Sequence, residues 1–444
     1  MKRYKTYKDS GVKWIGEIPK HWSFKALKHS AKILNGSTPS SSVKEYWNGN
    51  VSWVTTDDLG KLNDKYIITS RRTITTVGLQ SCGTNLAPVN SVVMSCRAPI
   101  GHLGILKIEA CTNQGCKTLV PQNLNYDFLY YSLKNCRIEL ESLGKGSTFK
   151  ELSTVALKDY KIVLPKSIEE QTQIANYLNH KIAQLDSLIA KKEQLISLLQ
   201  EERTAMINQA VSKGLDPNVP MKDSGVEWLG EIPEHWEVLS FRFCIDILTD
   251  YTSNGSFASL AKNVNYLDEG YSRLVRLTDL RVNLENDGLY VDENAHNFLK
   301  KSELFGGEML IANVGAYAGL VKIMPYLEGK HTLGPNMFLL RLNQNTDFFF
   351  YQLNASFCAE QLKMMAISSA QPKLNKDNMR QLKVVKPPRE EQNILVEYIS
   401  KETNRIDTII HKVEQEINLL KEYKTALISE VVTGKVDVRE EVLN

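Results

Sequence analysis

Two stretches of this chain repeat a seam in alternating steps of four and three, the spacing of a helix that packs on another helix. In the first, predicted as a helix over about 170–211, the seam reads Leu178, Ile182, Leu185, Ile189, Lys192, Ile196, Leu199, Arg203, Met206 and Ala210. The second, displaced by a constant 221 positions and predicted over about 391–432, reads Ile399, Thr403, Ile406, Ile410, Val413, Ile417, Leu420, Lys424, Leu427 and Val431. At ~1.5 Å per residue each rod is roughly 60 Å long, too long for one small domain to cover and suited to packing on its own copy. Pro165 and the pair Pro387-Pro388 stand just ahead of the two starts, and Glu169/Glu170 and Glu390/Glu391 suit the positive end of a helix. Gly214 and the segment LDPNVP end the first rod and lead to a second unit.

The duplication extends beyond the rods. Residues 8–22, KDSGVKWIGEIPKHW, return at 222–236 as KDSGVEWLGEIPEHW, with changes only at Lys13/Glu227, Ile15/Leu229 and Lys20/Glu234. Trp14, Trp22, Trp228 and Trp236 are expected to be buried anchors that tie each domain down, in preference to bases' stacking partners, since a duplex keeps its bases stacked on one another. The tail TGKVDVREE at 433–441 resembles the start of the linker after the first rod, SKGLDPNV at 212–219, which places the C-terminus near the N-terminal segment and closes the fold in a circular sense.

Between each tryptophan segment and its rod lies a stretch of mixed character, 24–164 and 238–386. Short runs rich in β-branched residues (89–94, 105–108, 162–164, 309–312, 337–342) sit between Gly, Asn and Pro, with helical pieces at 127–142 and 347–365. The fold class is therefore α+β. The two middles are only loosely alike: VSWVTTDDL at 51–59 parallels SRLVRLTDL at 272–280, and 92–106 parallels 308–321. Similar ends around divergent middles fit a shared scaffold with two different reading surfaces.

Two similar units joined through equivalent seams imply an approximate two-fold axis with antiparallel rods, each carrying a globular domain at its opposite end. DNA is a two-fold ligand of this kind, and two unlike domains would address an asymmetric, bipartite site with an unread spacer.

Composition narrows the classes. At 444 residues and 42% hydrophobic content the chain has material for two or more cores. No apolar run reaches membrane-spanning length and the N-terminus MKRYKTYKDSG lacks a signal peptide's apolar segment, so a soluble cytoplasmic protein without membrane contact is expected. Seven scattered cysteines point to free thiols, and Cys111 and Cys116 lack the further ligands that zinc needs. No metal or other cofactor is expected.

The paired SGVxWxGEIPxHW segments, NGSTPSSSVKEYWNGNVSWVTTDDL at 35–59, TNQG at 112–115 and the EEQ-headed helices together resemble the specificity (S) subunits of type I restriction-modification enzymes, over the whole chain. The resemblance implies target recognition domain 1 at 1–166, a long spacer helix at 167–213, a linker at 214–220, target recognition domain 2 at 221–388, a second spacer helix at 389–433 and a C-terminal tail at 434–444. It further implies double-stranded DNA as ligand, two modification (M) methyltransferase subunits docked on the paired helices, and restriction (R) subunits joined through the M–S complex. Methyl transfer, ATP use and cleavage then belong to partner chains. The second middle departs most, with no tryptophan and GPNM at 334–337 where the first has TNQG.

The residues agree that this chain binds and does not catalyse. There is no [DNS]-P-P-[YFW] turn, the one Pro-Pro being flanked by Lys386 and Arg389, and no P-loop or dinucleotide fingerprint. Residues 24–164 carry 17 Lys+Arg against 10 Asp+Glu, net +7, whereas 238–386 carry 16 against 15, net +1, so the first domain should supply more of the phosphate attraction. Candidate DNA contacts in the first domain are Ser40, Ser41, Lys44, Thr55, Thr56, Arg71, Arg72, Arg97, Lys145, Thr148 and Lys150. In the second they are Thr252, Asn254, Lys262, Arg273, Arg276, Arg281, Asn313, Tyr317, Lys373 and Lys376. Arginine reads guanine and asparagine adenine through paired hydrogen bonds, and Arg97 and Asn313 read as corresponding positions beside an apolar run. The seam charges Lys192, Arg203 and Lys424 pack their stems and snorkel, or else Arg203 and Lys424, at equivalent places, mark helix ends where partner chains or DNA phosphates approach. Two other classes compete. A stand-alone bipartite DNA binder is disfavoured by the near-neutral +3 of the chain, and a coiled-coil scaffold without DNA by the +7 of the first middle.

Overall fold

Alternation and punctuation give each unit its strands, and a computed structural model describes residues 2–146, 150–366 and 372–441. By compactness the chain divides into unit 1, residues 1–193 with 414–444, and unit 2, residues 194–413. The cuts fall inside the two long helices, Ile168–Lys213 and Arg389–Val432. Each unit is thus one compact body that includes the start of one long helix and the end of the other.

In unit 1 a five-stranded sheet runs in the order Ala31–Asn35, Cys116–Pro121, Val92–Ser95, Leu103–Leu106, Tyr66–Ile67. A second sheet places Trp47–Val54 between Ala110–Thr112, parallel to it, and Arg72–Ile74, antiparallel. Unit 2 repeats the plan: Ile245–Asp250, Met337–Leu342, Met309–Ala312 and Val321–Ile323 form one sheet. Leu289–Val291, Ser272–Val275, His331–Leu333 and Glu303–Leu304 form the other. The strand–helix run shared by TTDDL and RLTDL has one physical cause. Asp58 accepts from the Thr55 amide at 2.8 Å and Asp279 from the Arg276 amide at 2.8 Å, each capping the short helix that follows.

The seam residues are buried or half-buried throughout and none is exposed. In unit 1 Ile174, Leu178 and Ile182 share a core with Leu427, Ile428 and Val431. In unit 2 Ala210 and Val211 share one with Leu395 and Ile399. Asp186 pairs with Lys424 and Lys192 with Glu416 in unit 1, while Arg203 meets Asp407 at 3.2 Å in unit 2. Numbers rise on one helix as they fall on the other, so the pairing within each unit is antiparallel.

The EEQ heads show why the scaffold is repeated. The Trp22 indole donates to Glu170 at 3.0 Å, His21 lies 3.0 Å from the same carboxylate, and Trp236 and His235 do the same with Glu391 at 3.0 and 2.8 Å. The glutamines that follow bridge outward: Gln171 donates to Pro165 O and accepts from the Asn125 amide, and Gln392 donates to Pro387 O and accepts from the Asn345 amide. Asn125 and Asn345 in turn cap the helices Tyr126–Asn135 and Thr346–Asn354. Trp22 and Trp236 are fully buried, each worth on the order of 5 kcal/mol of transfer free energy as an upper bound.

Trp14 and Trp228, also read as anchors, are 40% and 41% exposed. They sit in the turn of the hairpins Tyr7–Asp9/Glu17–Pro19 and Met221–Asp223/Glu231–Pro233, where the pairing strands carry the indoles out of the core.

The C-terminal tail does lie on the N-terminal segment. The Asp437 amide donates to Lys2 O at 2.9 Å, Lys2 pairs with Glu440 at 2.7 Å, and the Arg439 guanidinium lies over Tyr4 at 4.8 Å. Gly434, at φ +73°, turns the chain against Pro19 and Trp22, as Gly214, at φ +75°, turns it against Trp236.

Candidate nucleic-acid interface

In unit 1 the richest surface is built around the strand Trp47–Val54. Arg72 lies over the Trp47 ring at 4.0 Å and 5.3 Å from the Trp53 ring, and the two indoles meet edge to face. Both indole nitrogens hold the preceding loop, Trp53 by donating to Ser37 O at 3.0 Å and Trp47 to Ser40 O at 3.1 Å. The loop is also tied to TNQG: the Ser37 amide donates to Thr112 O at 2.9 Å and Thr38 hydrogen-bonds Gln114. Gly36 makes the crossing possible, since a Cβ there would stand 1.8 Å from Asn113 O. Ser40, Ser41, Lys44, Arg71 and Arg72 are exposed along this surface, with Arg71 paired to Asp57 at 2.7 Å. Thr56 is half-buried beside Gly115, within reach of the same loop.

Arg97, Lys145 and Lys150 form a second exposed group: Arg97 and Lys145 both bridge to Glu151, and Lys150 O accepts from the Ala98 amide. Arg97 also pairs with Glu151 at 3.0 Å. Thr148 lies outside the described residues.

In unit 2 the exposed Arg281 stacks on Tyr317 at 3.9 Å and donates to its hydroxyl at 2.9 Å. Lys262 and Lys373 are exposed. An arginine lying over an aromatic ring thus occurs in both units, on different elements and with different rings.

Several sequence candidates are occupied by the fold. Thr55 caps a helix through Asp58, Thr252 donates to Asp250 at 3.0 Å, and Asn254 spends its amide on Tyr251 O, Ser302 and the Lys301 amide. Lys376 is held by Ser253 at 2.7 Å and Asp250 at 3.1 Å, and Arg276 by Asp279 at 3.3 Å. Arg273 is only 4% exposed, with one nitrogen on Leu284 O, because its strand is covered on both faces. Asn313 is buried too. Arg273 and Asn313 are thus enclosed by the fold, 4% and 8% exposed.

The correspondence of Arg97 with Asn313 is also off by one. Ser95 faces Cys116 as Ala312 faces Met337, and Arg97 bridges Glu151 as Val314 bridges Lys373. Arg97 therefore matches Val314, and Cys96 matches Asn313. One step along a strand turns a side chain to the opposite face, which is why Arg97 is outside and Asn313 inside.

Sequence reasoning passed over Trp47, Trp53 and Gln114. Strand alternation carried no signal for them: Trp47 and Val51 both stand opposite Ile74, and this bulge is what brings the Trp47 and Trp53 rings to 5.1 Å.

Burial pushes the thiols of Cys96 and Cys136 up to about 12 and those of Cys111 and Cys244 up to about 11, leaving them protonated. Among the described residues no group of three or more His, Cys, Asp or Glu is arranged to hold a metal, and no helix is long and apolar enough to cross a membrane.

A duplicated α+β domain mounted twice on the same Trp–Glu–Gln framework, with unlike faces outward, defines a class of two-site binding proteins. The model of the type I restriction modification DNA specificity domain matches residues 19–198 and 266–419, more than half of the chain, and the chain belongs to that family. Among curated relatives, the type I restriction enzyme MjaIX specificity subunit of Methanocaldococcus jannaschii is 26% identical over 447 residues, 96% of each chain. The EcoKI specificity subunit of Escherichia coli K12 is 22% identical over 352 residues, covering 74% of this chain and 70% of its own. Two solved structures share the fold. A chain from a study of complex assembly and conformational transition in the type I R-M system has a TM-score of 0.72 at 12% identity, covering 94% of this chain and 99% of that one. The HsdS subunit from Thermoanaerobacter tengcongensis has a TM-score of 0.59 at 13% identity, covering 94% and 98%.

Proposed function

We propose that this chain is the specificity subunit of a type I restriction-modification complex and reads an asymmetric, bipartite DNA sequence, one half-site per recognition domain. The observation that carries the reading is the repeated Trp–Glu–Gln framework beneath two unlike faces, Arg72 on Trp47 and Trp53 in one and Arg281 on Tyr317 in the other. A scaffold kept constant while its displayed side chains differ suits two readers of different sequence. Arg71, Arg72, Lys44, Arg97, Lys145 and Lys150 serve the first half-site, and Arg281, Tyr317, Lys262 and Lys373 the second. Arg72 and Arg281, each lying over an aromatic ring, present a planar fork of the shape that matches a guanine edge.

The paired helices set the length of the unread spacer and dock two modification subunits, through which restriction subunits join. Methyl transfer and cleavage are the work of those partners, and the complex acts in the cytoplasm, where the DNA is. The division into recognition domains at 1–166 and 221–388, with spacer helices at 167–213 and 389–433, belongs to this proposal.

The test is to purify the chain alone and with its modification subunits, and to measure co-elution and binding to a randomised DNA library. Co-elution with two modification subunits and a bipartite consensus is the expected result. A complex without sequence preference, or a chain that binds a bipartite site equally well alone, would overturn the reading.

A further inference from the structure

Unit 1 contains a cleft of about 590 Å³ where the recognition domain meets the long helices. Its floor is committed. The Lys65 ammonium is held by Asp127 and Asn179 and faces the Tyr131 ring at 5.1 Å, while the Tyr131 hydroxyl donates to Asn179 at 2.9 Å. On one wall Lys424 pairs with Asp186, and at the base the Asp64 carboxylate accepts from the Lys65 amide at 2.6 Å. The opposite rim differs: Lys134 and Arg137 are exposed and have no carboxylate partner among the described residues.

We infer that Lys134 and Arg137, backed by Lys424, form a seat for phosphodiester groups of duplex DNA in the unread gap beside the first half-site. The inference rests on the proposed DNA-reading function and deepens it. Two unpaired cations on a concave rim focus the field into the cleft and favour an anion there, while the Lys424–Asp186 pair beside them is close to neutral. The crowding is already felt in the free chain. Although the side chain reaches solvent, desolvation of the ammonium against the cleft, and then the charge of Lys424, hold the Lys134 pKa below the ordinary lysine value against the opposing charge of Asp186, so an arriving anion relieves part of a repulsion as well as making a bond. An arginine fork beside a lysine point charge suits phosphate oxygens. The position adjoining the helix pair suits contacts that carry no sequence information, since phosphate contacts position and base contacts specify. None of the contacts predicted from the sequence lies here.

The experiment uses the full chain in complex with its modification subunits and the double variant Lys134→Ala/Arg137→Ala. Affinity for cognate DNA and for non-cognate DNA of equal length should fall together by roughly 10-fold at ~0.1 M salt, and the slope of log K against log salt should flatten by about 2. The ranking of site variants should stay unchanged, and neutral methylphosphonates placed in the gap should erase the difference between variant and parent. An unchanged affinity and salt slope would overturn the inference. So would an altered base preference, or loss of co-elution with the modification subunits, which would assign the rim to an acidic protein surface. Competition by inorganic phosphate at matched ionic strength, with DNA affinity unaffected by the variant, would assign it to a small anion. If the parental complex shows no sequence preference the proposed function fails separately, because the salt slopes of parent and variant still report on the cleft.

Discussion

The indole nitrogen of Trp22 lies 3.0 Å from the carboxylate of Glu170, and the same bond joins Trp236 to Glu391 at 3.0 Å. These are the points where a long helix is fastened to its recognition domain. Glu170→Ala would leave a fully buried indole N–H without an acceptor, at a cost of about 1–3 kcal/mol. The loss should be local. Hydrogen exchange is expected to rise at 2–22 and 427–441 for Glu170→Ala, and at 206–236 for Glu391→Ala. A uniform rise across both units in either variant would contradict this placement.

The charged seam positions are partners across the helix pair. Asp186 with Lys424 and Asp407 with Arg203 are the same contact written twice at a displacement of 221. Their side chains are about one fifth to one half exposed, so each pair is worth only ~0.5 kcal/mol. Lys424→Glu should destabilise by a similar amount against Asp186, and adding Asp186→Lys should restore the parent's urea midpoint. A double-mutant cycle with zero coupling would show that the pair is not made in solution.

Gly36→Ala tests the loop that carries the first domain's surface. A Cβ at 1.8 Å from the Asn113 carbonyl meets backbone and cannot be accommodated by a rotamer change, so destabilisation of about 1–3 kcal/mol is expected. Recognition of the first half-site should loosen while the second is retained. Gly83→Ala, with nothing within 4 Å of the added atom, is the near-neutral control. Equal unfolding midpoints for the two variants would count against the crossing.

His331 gives unit 2 a dependence on pH. Burial lowers its pKa from the ordinary 6.5, so the folded form prefers the neutral ring. The unfolded chain then binds the proton first, and stability, full above about pH 7, is lost as pH falls through 6.5 toward the lower folded pKa. The urea midpoint of unit 2 should drop between pH 7.5 and 5.5, and His331→Gln should flatten that drop. An identical slope in the variant would place the titration elsewhere.

Much of the architecture was legible in advance because its signals are periodic or repeated. The seam spacing picked out residues that are all buried or half-buried in the helices, and the likeness of 433–441 to 212–219 predicts that the tail meets the N-terminus, as the Asp437 to Lys2 bond shows. In the sequence the EEQ heads read only as charges suited to the helix dipole. Their buried role with Trp22 and Trp236 depends on segments almost 150 residues apart in sequence meeting in space.

What the sequence alone determined was the duplication, the α+β class, the pair of long helices and the unlike middles, because each follows from spacing along one chain. The tertiary structure decided which side chains face outward. Trp14 and Trp22 share one conserved-looking repeat yet one is exposed and the other buried, Arg97 and Asn313 differ by one step of strand register, and Arg273 is sealed beneath its neighbours. The rim of Lys134 and Arg137 is of the same kind. A surface is made by elements that converge from distant parts of the chain, and periodicity within any one of them carries no record of what will stand opposite.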